Sequence, residues 1–252
     1  MDVAVFGANG PTGRLLTAQA LAEGHRVTAF TRNPGSFPLR HADLRIVGGD
    51  VLDAAAVDGA VAGRDVVLST LGAPYSRKPI TVYSEGTANI IAAMDRHGLT
   101  RLVCVSSTAL DLHPQQEGGV LFRSVLEPFI IHVVGRTLYD DLRRMERLVA
   151  DSGLAWTIVR SGGLFESAGV TRYEVAERAI PQRFTSRADL ADCLLREAHD
   201  DAHVGTTVAI ATPSAPRTVA GLLWREAFGR GAPAQLSGAP AARRAGRPRR
   251  AA

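Results

Sequence analysis

Gly7, Gly10 and Gly13 punctuate a short loop, Gly7-Ala8-Asn9-Gly10-Pro11-Thr12-Gly13, and few architectures accept what lies on either side of it. Before it stands an apolar run, Val3-Ala4-Val5-Phe6, of the kind that forms a strand buried on both faces. After it, over 13–23, Leu15, Leu16, Ala18, Leu21 and Ala22 recur at helical spacing, and Gly24 ends the segment. The first glycine permits a tight turn, the second lets an anionic group approach the backbone, and the third allows the helix to pack close to the strand. The helix start then offers unpaired N–H groups and a positive dipole end to that anion. The alternative is a tight strand–helix turn without a ligand. Placement between a first strand and an amphipathic helix favours the anion.

The rest of the chain repeats the alternation. Strands are expected over 26–31, 45–48, 65–69, 101–106, 155–160 and 206–211, and helices over 80–97, 137–152 and 186–199, with Asp53 as a helix cap. Such alternation implies parallel strands joined by right-handed crossovers, with helices on both faces. The expected fold is therefore α/β, a Rossmann-type doubly wound parallel sheet in a single domain over 1–230. One irregular stretch, 110–136, follows the fifth strand, and it is read as a substrate lid because ligands bind above the carboxyl ends of such strands. The alternative is simple packing against the domain.

The net charge of +4 invites a nucleic-acid reading, but its location argues against one. Arg243, Arg244, Arg247, Arg249 and Arg250 lie at the end of the chain, and without them the net charge is −1. The segment 231–252 is read as a disordered basic tail, and no nucleic-acid partner is expected. No apolar run is long enough to span a bilayer, and the strand-like start leaves no room for a signal peptide. Cys104 and Cys193 fall in strand-like and helix-like segments and are expected as small core residues. A cytoplasmic setting is the default that follows.

At the end of the second strand, where an acid would bind a ribose 2′-hydroxyl, the chain reads Phe30-Thr31-Arg32-Asn33-Pro34. Arg32 suits a 2′-phosphate through its planar donor fork, or else it is a solvated loop arginine. Asp50 after the third strand either accepts from an adenine amino group or serves as a turn residue. The histidines show no metal-ligand spacing, and no metal site is expected.

The segments 7–14, 27–34, 48–53, 83–98, 103–107, 139–160 and 186–195 together resemble the atypical short-chain dehydrogenase/reductases, in the NAD(P)H-binding, NmrA-like branch. Within it the chain is most similar to the biliverdin reductase B/flavin reductase group. The resemblance implies NADP(H) held by Gly7, Asn9, Gly10, Pro11, Thr12 and Gly13, with Arg32 on the 2′-phosphate and Asp50 and Val51 at adenine. It implies Thr70, Leu71 and Gly72 at the nicotinamide-side ribose and Ser106 and Ser107 by the nicotinamide; the alternative for both serines is strand-end turn chemistry. Two departures border the substrate side. Arg160-Ser161-Gly162 replaces the Arg-Pro-Gly of many relatives, and 110–136 is longer and more apolar than in the flavin reductase group.

Ordinary members of that superfamily use Tyr-x-x-x-Lys, but the nearest match here is Tyr139-Asp140-Asp141-Leu142-Arg143. An arginine does not readily share a proton at neutral pH. The chain has one lysine, Lys78, read as a solvated loop residue or as a contact to a cofactor phosphate or an acidic substrate. Ser107 and Tyr139 are the candidate catalytic side chains. The expected activity is NADPH-dependent hydride transfer to a conjugated planar acceptor such as a flavin, a quinone or an aromatic polyketide-like molecule. The alternatives are an NADP(H)-sensing regulatory protein and a redox-neutral isomerase or cyclase. A small-molecule partner and a monomer or weak homo-oligomer complete the expectation.

Overall fold

Side chains alternate across each central strand, and both faces must therefore be covered. In β1 (Asp2–Phe6), Ala4 and Phe6 enter one core while Val3 and Val5 enter the other. The computed structural model describes residues 1–76, 78–111, 135–177, 180–181 and 184–214. Among them, β1 is followed by α1 (Pro11–Ala22), β2 (Arg26–Thr31), β3 (Leu44–Gly48), α2 (Ala54–Val61), β4 (Val66–Ser69), α3 (Ser84–His97) and β5 (Arg101–Ser107). Then come α4 (Arg136–Ala150), β6 (Ala155–Ser161), β7 (Gly163–Phe165), β8 (Glu174–Ala176), β9 (Phe184–Ser186), α5 (Arg187–His199) and β10 (Thr206–Ala211). Eight strands form one sheet in the order β3-β2-β1-β4-β5-β6-β10-β8, and β7 pairs with β9. The order reverses between β1 and β4, which puts a ligand crevice at the carboxyl ends of those strands.

The helices divide between the two faces. Val57, Ile90, Met94, Leu142 and Met145 of α2, α3 and α4 pack with Ala4, Phe6, Leu102 and Ile158. Leu16, Ala20, Leu190 and Leu194 of α1 and α5 pack with Val3, Val5, Val103 and Val159 on the other side. Cys104 and Cys193 are free and fully buried, and burial pushes the Cys104 thiol up to about 12.

The sheet and its faces are those the sequence pattern predicts, with three corrections. The third helix begins at Ser84 rather than near Ile80. The reason is a distant cap: the Asp141 carboxylate of α4 accepts the N–H of Tyr83 at 2.9 Å and of Ser84 at 3.3 Å, and the Ser84 hydroxyl as well. The first helix begins at Pro11 rather than Gly13, because proline at the first helical position has no N–H to leave unsatisfied. Finally, β7, β8 and β9 are three-residue strands that carry no readable alternation, and β8 runs antiparallel to β10 at the sheet edge. Asp53 caps α2 as expected, accepting from Ala55 and Ala56. Most of the expected lid over 110–136 and all of the expected tail over 231–252 lie outside the described residues. Among the described residues, no helix is long and apolar enough to cross a membrane.

Candidate functional site

The loops that leave β1, β2, β3, β4, β5 and β6 open onto one cleft of about 790 Å³. Every site residue singled out in the sequence lines it: Gly7, Asn9, Gly10, Pro11, Thr12, Gly13, Arg32, Asp50, Val51, Thr70, Leu71, Gly72, Ser106, Ser107 and Tyr139.

The glycine loop is built on close backbone approaches. Gly7 adopts φ +73°, and a Cβ there would lie 2.5 Å from the Thr70 carbonyl oxygen. A Cβ on Gly13 would lie 2.3 Å from the Gly7 carbonyl oxygen, so any side chain would push α1 off the loop. Thr70 closes the neighbouring turn by donating its N–H at 2.9 Å and its hydroxyl at 3.0 Å to the Phe6 carbonyl. Gly10 begins α1 without a side-chain cap, which leaves the first-turn amides of Thr12 and Gly13 for a ligand. An uncapped, glycine-walled helix start fits an anionic group such as a pyrophosphate. Asn9 braces the loop, accepting from Arg14 Nε at 2.9 Å and donating to Ser36 Oγ at 3.1 Å.

Arg32 is exposed on the rim, and no carboxylate among the described residues pairs with it. Asp50 lines the cleft and takes the turn role in part: its Oδ1 accepts the Leu52 N–H at 3.0 Å. Val51 is buried against α3, where a Cβ on Gly86 would lie 2.7 Å from its Cγ1. Ser106 is buried, and its Oγ has no hydrogen-bond partner among the described residues. Ser107 does strand-end work, its Oγ accepting the Ala109 N–H at 3.2 Å, while its proton remains available to a ligand.

Tyr139 is buried on α4 with its hydroxyl 3.2 Å from that of Tyr75. Gly135 makes room for its ring, since a Cβ there would lie 2.6 Å from Cε2. Four residues on, Arg143 is turned away into a half-exposed pair with Asp140 at 3.0 Å. Lys78 is exposed and does not line the cleft, which is the solvated reading of that residue.

Sequence reasoning missed several lining residues. Tyr83 is buried, and its hydroxyl accepts the Ala73 N–H at 2.9 Å, fixing the loop after β4; burial pushes its ionisation up. Arg187, the first residue of α5, brings a mostly buried guanidinium to the wall, with Nε 2.8 Å from Glu166 Oε1. Its place at a helix start rather than in a motif gave no functional signal. Tyr75 and Leu164 sit in a loop and a short strand with no pattern of their own, whereas Gly162 belongs to the Arg160-Ser161-Gly162 segment already placed beside the substrate side.

The family model described as NAD(P)H-binding matches residues 7–201. An uncharacterized protein of Mycobacterium bovis is 31% identical over 166 residues, which is 66% of this chain and 15% of that protein. A Streptomyces protein named 3-diazoavenalumate denitrifying reductase is 33% identical over 181 residues, 66% of this chain and 57% of that protein. The chain thus spans a small part of the first relative and little more than half of the second. Among solved structures, a short-chain dehydrogenase/reductase from Veillonella parvula in complex with NADP superposes with a TM-score of 0.70 at 20% identity, covering 84% of this chain and 95% of that one.

Proposed function

The chain belongs to the NAD(P)H-binding family, and on that premise we propose that it is an atypical short-chain dehydrogenase/reductase, an NADPH-dependent reductase of a conjugated, planar acceptor such as a flavin, a quinone or an aromatic polyketide-like molecule. The observation that carries the reading is the makeup of the cleft at Tyr139. Leu138, Leu142 and Leu164 wall it, and Ser107, Tyr75 and Tyr139 bring hydroxyls to it. The one lysine of the chain is out in solvent, and the arginine at the lysine position is paired with Asp140. α4 therefore does not carry the lysine of an ordinary Tyr–Lys pair. A conjugated acceptor needs little such help, because delocalisation stabilises the charge left by an arriving hydride. The name of the Streptomyces relative, a reductase, supports the same reading.

NADPH, when bound, would supply the hydride. The amides of Thr12 and Gly13 would hold the pyrophosphate, Arg32 the 2′-phosphate, and Asp50 the adenine amino group. Thr70, Leu71 and Gly72 would seat the second ribose. Ser107 orients the acceptor, whose proton comes from water. The residues act mainly by proximity, which removes several kcal/mol of barrier when reacting atoms are held together.

Two expected results follow. Arg32→Ala should erase most of a preference for NADPH over NADH and leave NADH affinity nearly intact, because a charged hydrogen bond to phosphate contributes roughly 1.5–3 kcal/mol, or about tenfold or more. Equal affinity of the unmutated protein for both cofactors would remove the assignment. Turnover is tested by NADPH oxidation against a panel of quinones and flavins. At saturating NADPH, Ser107→Ala should lower kcat by about tenfold and Tyr139→Phe by less, whereas a positioned general acid contributes 10²–10⁴-fold. No turnover with any panel member ends the reductase reading. A thousandfold loss in Tyr139→Phe, with NADPH binding preserved, ends the acid-free mechanism.

A further inference from the structure

At the end of the sheet opposite the cleft, residues far apart in sequence meet. Glu23 ends α1, His25 precedes β2, and His199 ends α5. His25 Nε2 and His199 Nε2 lie 3.2 Å apart, Glu23 Oε2 is 3.9 Å from His25 Nε2, and one ligand atom from each residue falls within 4.8 Å of the other two. We propose that Glu23, His25 and His199 form a zinc(II) site, with water as the fourth ligand, that ties the ends of α1 and α5 together. The site replaces the sequence-based expectation of no metal. That expectation rested on local spacing, and His25 and His199 are 174 residues apart.

Three observations point to a cation. Two nitrogens each about 2.0–2.1 Å from a tetrahedral zinc lie roughly 3.3 Å apart, which is the separation seen here. Two imidazoles and a carboxylate are a donor set suited to that metal. Both α1 and α5 start at the cleft and end here, so two negative helix-dipole ends converge on the same point.

His25 is mostly buried. The Met1 ammonium lies 3.4 Å from Nδ1 and can only donate there, so zinc has to displace the Nε2 proton that this contact favours. The Glu23 side chain is about half exposed and free to close the remaining gap. The competing account is a hydrogen bond between the two imidazoles.

The test is calorimetric titration of the full chain, stripped with a chelator, with zinc chloride at pH 7.5. The expected result is a saturable site of one zinc, weakened at least tenfold by Glu23→Gln and by His199→Ala. A His97→Ala control removes a histidine paired with Asp58 elsewhere and should bind zinc as the unmutated chain does. At a hundredfold excess of zinc over Kd the melting temperature should rise by roughly 5–10 °C. NADPH affinity should stay unchanged in both site variants, which separates this site from the cofactor cleft. Equal zinc binding by the unmutated chain and both site variants, or no saturable binding, would overturn the site in favour of the imidazole hydrogen bond. Should His199→Ala fail to fold, Glu23→Gln decides the matter, because its side chain is about half exposed.

Discussion

Asp141→Ala should lower stability by about 3–5 kcal/mol, because buried donors left without an acceptor cost about 1–3 kcal/mol each. Asp141 is fully buried, pairs with Arg144 at 3.1 Å, and accepts from Tyr83, from Ser84 and from the Ser84 hydroxyl. Alanine would strand two backbone amides and a hydroxyl at the start of α3 and leave Arg144 without its carboxylate. At roughly 2–4 °C per kcal/mol for a chain of this size, melting should fall by about 6–20 °C. The neighbouring Asp140 supplies the comparison. Its carboxylate is about half exposed and pairs with Arg143 at 3.0 Å, so Asp140→Ala should change stability by less than about 1 kcal/mol. Thermal unfolding of the two variants side by side is the measurement. Equal shifts would show that the buried carboxylate does not hold α3 to α4.

Gly13→Ala should raise the Kd for NADPH by about 100-fold or more. The added Cβ would stand 2.3 Å from the Gly7 carbonyl oxygen and 2.8 Å from the Ala8 Cα, both backbone atoms that cannot swing aside. Relief requires the start of α1 to move away from the loop. The amides of Thr12 and Gly13 move with it, and each charged hydrogen bond to phosphate is worth roughly 1.5–3 kcal/mol. Gly35→Ala is the matched control, since no atom outside its immediate neighbours lies within 4 Å of a Cβ there, and it should bind NADPH as the unmutated chain does. Direct titration with NADPH reads both. Binding by Gly13→Ala within threefold of the unmutated chain would mean that the close approach of α1 to the loop is not what presents those amides.

The central fold was legible because its physics is local. Parallel strands covered on both faces read as continuous apolar runs, as in Val3 to Phe6, and a helix against them shows its stripe, as in Leu138, Leu142, Met145 and Val149. The cleft residues were legible for a related reason: they follow the carboxyl ends of strands that the pattern already locates. What the sequence hid depends on long-range contacts. The start of α3 is set by a carboxylate 57 residues beyond Ser84, so no pattern around Ile80 reveals it. Strands of three residues, such as β8, are too short to show alternation. Arg187 lies at a helix start with nothing nearby to mark it as a wall of the cleft, and the meeting of His25 with His199 requires two helices to be laid side by side first.

Asp141 and Tyr83 join in a single relay. Asp141 on α4 accepts the Tyr83 N–H, and the Tyr83 hydroxyl accepts the Ala73 N–H beside Leu71 and Gly72. The helix that presents Tyr139 is thereby fastened, through one tyrosine, to the loop that borders the middle of the cleft. An engineer who reshaped α4 to admit a bulkier acceptor would drag that loop along with it. Under the proposed function, acceptor scope and cofactor seating are therefore coupled, and variants selected for a new acceptor should carry compensating changes at 70–74 or at Tyr83.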